Sequence, residues 1–147
     1  MNTKNTKGKV KKILVVEDDL ALRPLWENFF KNREVELSVD WAVSSEEALK
    51  MIHQANENHE SFFLIITDIF LAGSGTGMEL IQSDEVLESK AQTVLISAAD
   101  RNEIVEKYGH LIPSTIVISK PLDFKKYEPI FKRILTPDAF AENRKGA

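Results

Sequence analysis

At 147 residues, with 43% hydrophobic and 29% charged residues, the chain has the size and balance of one soluble globular domain with a core of its own. It has no cysteine, which excludes disulfides and thiolate metal sites, and no apolar run near the roughly 20 residues that cross a membrane as a helix. The net charge of −4 is uneven: residues 1–12 carry five lysines and no acid, leaving −9 on the remainder.

That lysine-rich start has no arginine, no aromatic and no basic helix after it, so it reads as a flexible leader over 1–11 rather than a nucleic-acid arm. It runs straight into a strand instead of a signal-peptide core, which points to the cytoplasm. His53, His59 and His110 are scattered and suggest no metal pair.

Ile13–Val16 is a short β-branched run, a buried strand that ends in Glu17, Asp18 and Asp19. From Leu20 to about Lys31 the spacing predicts a helix with Ala21, Leu22, Leu25, Trp26 and Phe29 inward and Pro24 tolerated near its first turn. Val35, Leu37, Val39 and Trp41 alternate with Glu36, Ser38, Asp40 and Ala42, the period of a half-exposed strand at a sheet edge. Ser44 and Glu47 form a capping-box pattern that opens a helix to about Asn56, with Ala48, Met51, Ile52 and Ala55 inward.

Phe62–Thr67 is apolar without alternation, as in a strand covered on both faces, and it ends in Asp68. A loop from Ile69 to Gly77 holds Gly73, Gly75 and Gly77, which predict mobility, and a helix follows from near Met78 to Leu87. Thr93–Ile96 is a buried strand ending in Ser97, and Asp100 caps a helix through Tyr108. Thr115–Ile118 is a fifth strand, ending in Ser119, Lys120 and Pro121. Asp123 caps a last helix, Phe124 to Leu135, which Pro129 is expected to kink. Residues 136–147 read as a frayed tail, leaving 12–135 as the domain. Five strands alternating with five helices predict an α/β domain with a doubly wound parallel sheet and helices on both faces.

In such a sheet the carboxyl ends of the strands share one edge, where ligands bind. Glu17 and Asp18, Asp68, Ser97 and Lys120 each stand at one of those ends. Clustered carboxylates repel unless they share a cation, and hard oxygen ligands suit Mg²⁺. A serine hydroxyl and a lysine ammonium suit phosphate oxygens, and aspartate is a known nucleophile for acyl phosphate formation. The set is built for phosphoryl transfer onto Asp68.

These residues resemble, closely and in order, the response regulator receiver domain of bacterial two-component signalling. The likeness covers about Lys12 to Leu135 and rests on Ile-Leu-Val-Val-Glu17-Asp18-Asp19, Ile-Ile-Thr-Asp68, Val-Leu-Ile-Ser97-Ala and Ser-Lys120-Pro121. It implies a flavodoxin-like five-stranded sheet of order 2-1-3-4-5. It implies that Asp68 accepts a phosphoryl group from a sensor histidine kinase or phosphotransfer protein. Glu17, Asp18, Asp68 and the backbone carbonyl of Phe70 would hold Mg²⁺, while Ser97 and Lys120 would bind the phosphoryl group. The Lys120–Pro121 bond would be cis. A chain of this length would act as a single-domain regulator passing its signal to a downstream protein, with no direct nucleic-acid or membrane contact. It would catalyse its own phosphorylation and dephosphorylation and would not be a metabolic enzyme. Kinases dock on the first helix in this family, making Leu22 and Leu25 candidate contacts. The face of the fourth helix, fifth strand and fifth helix is the family's usual output and dimer surface.

The chain departs from the family in three places. Val117 stands where an aromatic switch residue is usual, the loop after Asp68 is glycine-rich and one residue longer, and Phe70 replaces a smaller or polar residue. A phenyl ring at 70 is expected to shield the phosphoryl group from water and slow its loss. Gly73-x-Gly75-x-Gly77 is not a dinucleotide fingerprint, because the third glycine comes one residue early. A phosphatase of Asp-x-Asp type fails at Phe70. The standing alternative is a receiver-shaped interaction module that works without phosphate, which Val117 and the altered loop favour and the intact acceptor set opposes.

Overall fold

The protein is described by a computed structural model over residues 10–71, 75–98, 100–110 and 114–136. The leader and the tail therefore lie outside the described residues, except for Val10, Lys11 and Thr136. Gly73 also lies outside them. The strands are β1 (Lys11–Val16), β2 (Leu37–Ala42), β3 (Leu64–Asp68), β4 (Gln92–Ser97) and β5 (Ile116–Ser119). The helices are α1 (Arg23–Phe30), α2 (Ser45–Glu57), α3 (Gly77–Ile81), α4 (Asp84–Ser89), α5 (Arg101–Tyr108) and α6 (Phe124–Leu135). All strand pairs are parallel and the order is β2-β1-β3-β4-β5, the expected doubly wound arrangement.

The alternation of a strand explains why its apolar runs are continuous. Ile13, Val15, Leu64, Ile66, Val94, Ile96 and Ile118 pack with Trp26 and Phe30 of α1 and with Tyr127, Phe131 and Leu135 of α6. Leu14, Val16 and Ile65 face the other way, against Ala48, Ile52 and Ala55 of α2, Leu80 of α3 and Val86 of α4. Leu95 and Val117 join Ile69, Ile81 and Ile104 in a smaller cluster under α5. The first face is aromatic: Trp26 stacks on Phe30, with centroids 5.8 Å apart, and meets Phe124 edge to face at 5.1 Å. The Trp26 indole N–H is buried with no hydrogen-bond partner among the described residues, and the rings of Phe29, Phe124 and Phe131 pack against the indole.

Several elements differ from the sequence reading. The chain after β1 first makes a 3₁₀ turn, Leu20–Leu22, in which the Asp19 carboxylate accepts the Ala21 N–H at 3.0 Å. The α-helix begins only at Arg23. Its buried stripe is Trp26 and Phe30, with Leu22 and Phe29 beside it; Ala21 is exposed and Leu25 is 49% exposed. At Ser44 the cap is formed, Ser44 Oγ accepting the Glu47 N–H at 3.1 Å, but Glu47 reaches back to the Val43 N–H rather than to Ser44.

The helix expected from Met78 to Leu87 is two helices. Thr76 and Glu79 make a full capping box at the start of α3. Ser83 then accepts the Val86 N–H at 3.2 Å and starts α4 afresh. Leu87, an inward position of a single helix, is exposed. Pro129 lies inside α6 as expected, and the helix is continuous from Phe124 to Leu135. Pro129 and Lys125, whose carbonyl loses its helical donor, are both exposed, so water can serve that carbonyl.

Gly77 positions the end of β3. Its N–H donates to the Ile69 carbonyl at 2.8 Å, and an added Cβ would stand 2.0 Å from the Asp68 carbonyl oxygen. A Cβ on Gly75 would instead meet the Ser45 hydroxyl, a side chain that can turn away. Gly77→Ala is therefore expected to cost about 1–3 kcal/mol through overpacking against backbone, and Gly75→Ala clearly less. Urea denaturation of the two variants checks the order, and equal costs would contradict it.

Candidate functional site

Strand register gathers the site. Val16 lies opposite Thr67, Asp68 opposite Ile96, and Ser97 opposite Ser119. Glu17, Asp68, Ser97 and Lys120 therefore emerge within one or two residues of the same level on neighbouring strands. Asp68 is 5% exposed, and its Oδ2 lies 2.5 Å from Lys120 Nζ. Its Oδ1 accepts the Phe70 N–H at 3.2 Å. The Lys120 N–H donates to the Ser97 carbonyl at 2.8 Å, and the Lys120–Pro121 bond is cis, as the resemblance implies. Ser97 is fully buried.

Glu17 is buried at the end of β1. Its Oε2 accepts the Asp19 N–H at 3.1 Å, while its Oε1 is buried without a hydrogen-bond partner. Burial pushes its carboxyl up to about 7; the Asp19 N–H opposes this, the Asp68 charge adds to it, Lys120 opposes it and Asp18 adds to it. Burial by itself would lower the Lys120 ammonium, but the hydrogen bond and charge of Asp68, backed by Glu17 and Asp18, hold it above the usual lysine value. Asp18 is exposed beside them.

The structure thus brings together Glu17, Asp68, Ser97 and Lys120, with Asp18 at the rim. Among the described residues no group of three or more His, Asp or Glu side chains is arranged to hold a metal. Asp68 has one oxygen on the Lys120 ammonium and the other on the Phe70 amide. The donor chemistry still fits a hard divalent ion. A buried carboxylate with one unpartnered oxygen, a second carboxylate nearby and an exposed third are oxygen ligands of the kind Mg²⁺ takes with water.

The structure places each of the three departures. Phe70 is 70% exposed and forms no part of the buried core. Gly77 is a tight contact with the Asp68 backbone, not a source of mobility. Val117 is buried with Leu95 and Ile104, and the aromatic ring packed against that cluster is Tyr108 of α5. Two residues at the site escaped the sequence reading. Thr67 donates its hydroxyl to the Asp68 carbonyl at 3.0 Å, and Tyr127 reaches Ser119. A tyrosine on the inward face of α6, where an apolar residue would serve packing, was the available signal for the second.

The family model of the response regulator receiver domain matches residues 13–129. Among solved structures the chain is similar to a CheY-like response regulator receiver domain protein from Methanospirillum hungatei JF-1. The identity is 21% and the TM-score 0.65, with 95% of this chain and 100% of that one covered. It is also similar to the signal receiver domain of a putative Luxo repressor protein from Vibrio parahaemolyticus (16% identity, TM-score 0.71, 95% and 100% covered). A third is the phosphorylated cyanobacterial phytochrome response regulator RcpA (18% identity, TM-score 0.70, 88% and 96% covered). At these identities the structural likeness shows the fold alone. No curated protein matches the chain.

Glu17 carries a pH dependence. An acid whose folded pKa is raised binds its proton more readily folded than unfolded. Between about 4.5 and about 7 the folded state holds the extra proton, so stability falls as pH rises through that window. In chelator, the wild-type chain is expected to lose on the order of 2–3 kcal/mol through Glu17 between pH 5 and pH 8. Glu17→Gln should remove that part of the slope. Urea midpoints measured across the range check this, and parallel slopes for the two proteins would refute it.

Proposed function

Because the chain belongs to the response regulator receiver domain family, we propose that it is a phosphoacceptor of two-component signalling in which Asp68 is the residue phosphorylated. The observation that carries this reading is the nearly buried Asp68 carboxylate at the end of β3, held 2.5 Å from the Lys120 ammonium beside the buried Ser97. An Asp68 oxygen attacks the phosphorus of a phosphohistidine on a sensor kinase or phosphotransfer protein. A P–O bond forms, the P–N bond breaks, and the electron pair stays with the imidazole nitrogen, which takes a proton. Lys120 then exchanges its bond to Asp68 Oδ2 for a phosphoryl oxygen, and the Ser97 hydroxyl donates to another. In dephosphorylation a water attacks the phosphorus of that acyl phosphate, the bond from the Asp68 oxygen to phosphorus breaks, the carboxylate is restored, and inorganic phosphate leaves with the water's oxygen, its surplus proton passing to solvent.

Glu17, Asp18, Asp68 and the Phe70 carbonyl would hold Mg²⁺. When bound, the ion supplies charge neutralisation for the transferred group. The unpartnered Glu17 Oε1, in a site that already disfavours an ionised Glu17, supports this assignment.

In the same reading the domain passes its state to a downstream protein. The 3₁₀ turn and α1 expose Leu20 and Leu25 to a kinase, whereas Leu22 is partly buried against the core. The surface of α5, β5 and α6 corresponds to the family's output and dimer face. Cytoplasmic placement belongs to this reading. Among the described residues no helix is long and apolar enough to cross a membrane. The rival, an interaction module independent of phosphate, draws on Val117 at the switch position.

Two measurements test the proposal. Incubation with acetyl phosphate and Mg²⁺ should add one phosphate-sized increment to the intact mass, absent in Asp68→Asn and slowed tenfold or more in Lys120→Ala; no gain in the wild type supports the interaction module. Mg²⁺ should also raise the thermal midpoint, by the equivalent of about 2.7 kcal/mol at a hundredfold excess over Kd. The double variant Glu17→Gln with Asp18→Asn should lose that response, and retention of it would remove these residues from the metal site.

A further inference from the structure

We propose that Tyr127 of α6 is a positioning residue for Lys120, acting through the backbone of Ser119; this rests on the role given to Lys120 above. β5 pairs with β4 on one side, and among the described residues no strand lies on its other side. Backbone groups alternate along such an edge strand. The Lys120 N–H donates inward to the Ser97 carbonyl, so the N–H and carbonyl of Ser119 point outward, where a sheet offers them nothing. The Tyr127 hydroxyl fills that place. It accepts the Ser119 N–H at 3.2 Å and donates to the Ser119 carbonyl at 3.5 Å.

The anchor behind this hydroxyl is firm. The Tyr127 ring is buried against Phe131 and the strand residues of the aromatic face. Its own N–H donates to the carbonyl of Asp123, the helix cap, at 3.2 Å. Ser119 and Tyr127 thus close the turn that contains Lys120 and Pro121. An apolar side chain would fill the same core position without needing a partner, so packing does not account for the hydroxyl. Its effect is local: it fixes the residue directly before Lys120, and so the root of the side chain whose ammonium meets Asp68.

Tyr127→Phe keeps the ring and removes only the hydroxyl. The Ser119 amide should exchange with solvent roughly tenfold faster, while the inward-bonded Ile118 amide is unchanged. Labelling by acetyl phosphate with Mg²⁺ should slow roughly three- to tenfold, the effect of one hydrogen bond. The same substitution in a Lys120→Ala background should produce no further slowing, because the group being positioned is gone. Equal slowing in both backgrounds would show a general structural effect and overturn the inference, as would no slowing in the presence of Lys120. If Lys120→Ala labels as fast as the wild type, the role given to Lys120 above fails, whatever the Ser119 amide does.

Discussion

The contact between Asp68 and Lys120 joins the ends of two strands that are not neighbours. β4 lies between them and contributes the Ser97 carbonyl that holds the Lys120 backbone. A carboxylate this buried is costly to keep charged unless it is paired. Here one oxygen has an ammonium and the other a backbone amide, so its valences are met inside the protein. The Lys120 side chain is about a third exposed, so the pair sits at the lip of the sheet. That position lets an incoming anion compete for the ammonium. The charge that makes the pair stable is the charge a phosphoryl group would need.

Glu17 is the counterweight. It sits on the far side of Asp68 from Lys120, on β1, and it is not satisfied: one oxygen has an amide and the other nothing. Lys120 pairs directly with Asp68, and burial, helped by the Asp68 charge, pushes the Glu17 carboxyl up to about 7. The site is therefore asymmetric across β3, with a positive charge committed on one side and an acid short of a positive charge on the other. The fit of a divalent ion follows from that shortage rather than from a closed cage of ligands.

The parallel pairing and the placement of Glu17, Asp68, Ser97 and Lys120 at the carboxyl edge were legible in the sequence pattern, while the order 2-1-3-4-5 came from the family resemblance. A strand covered on both faces must be largely apolar along its length, so the polar residues that follow the run mark the strand's exposed end. Val-Val-Glu17, Ile-Thr-Asp68, Ile-Ser97 and Ile-Ser-Lys120 all announce the carboxyl edge this way. What escaped were features fixed by contacts distant in sequence. Leu25 scores as a core residue by type but lies off the Trp26–Phe30 stripe once the 3₁₀ turn has advanced the helix start. Gly77 has no local signature of its steric role, because the atom it must avoid belongs to Asp68. Ser83 reads equally well as a helix residue or a cap, and packing of α4 on α2 decides it.

The two faces of the sheet are also unequally built, which bears on where a change at the site can travel. The α1 and α6 face is packed with Trp26, Phe29, Phe30, Phe124, Tyr127 and Phe131, whose ring pairs each add about 0.5–1.5 kcal/mol beyond burial. Across the sheet, the cluster under α5 is aliphatic, and Ile104 is the buried residue that α5 contributes among those described. Beside Ile104, the partly buried Tyr108 of α5 packs against that cluster. Elements with little buried surface open and shift at the lowest cost. Ser97, at the end of β4, follows directly on Leu95 and Ile96, and Leu95 lies in this thin cluster. The α6 face fixes the end of β5 through its aromatic anchor, whereas the α5 face rests on the aliphatic cluster that Leu95 and Val117 enter.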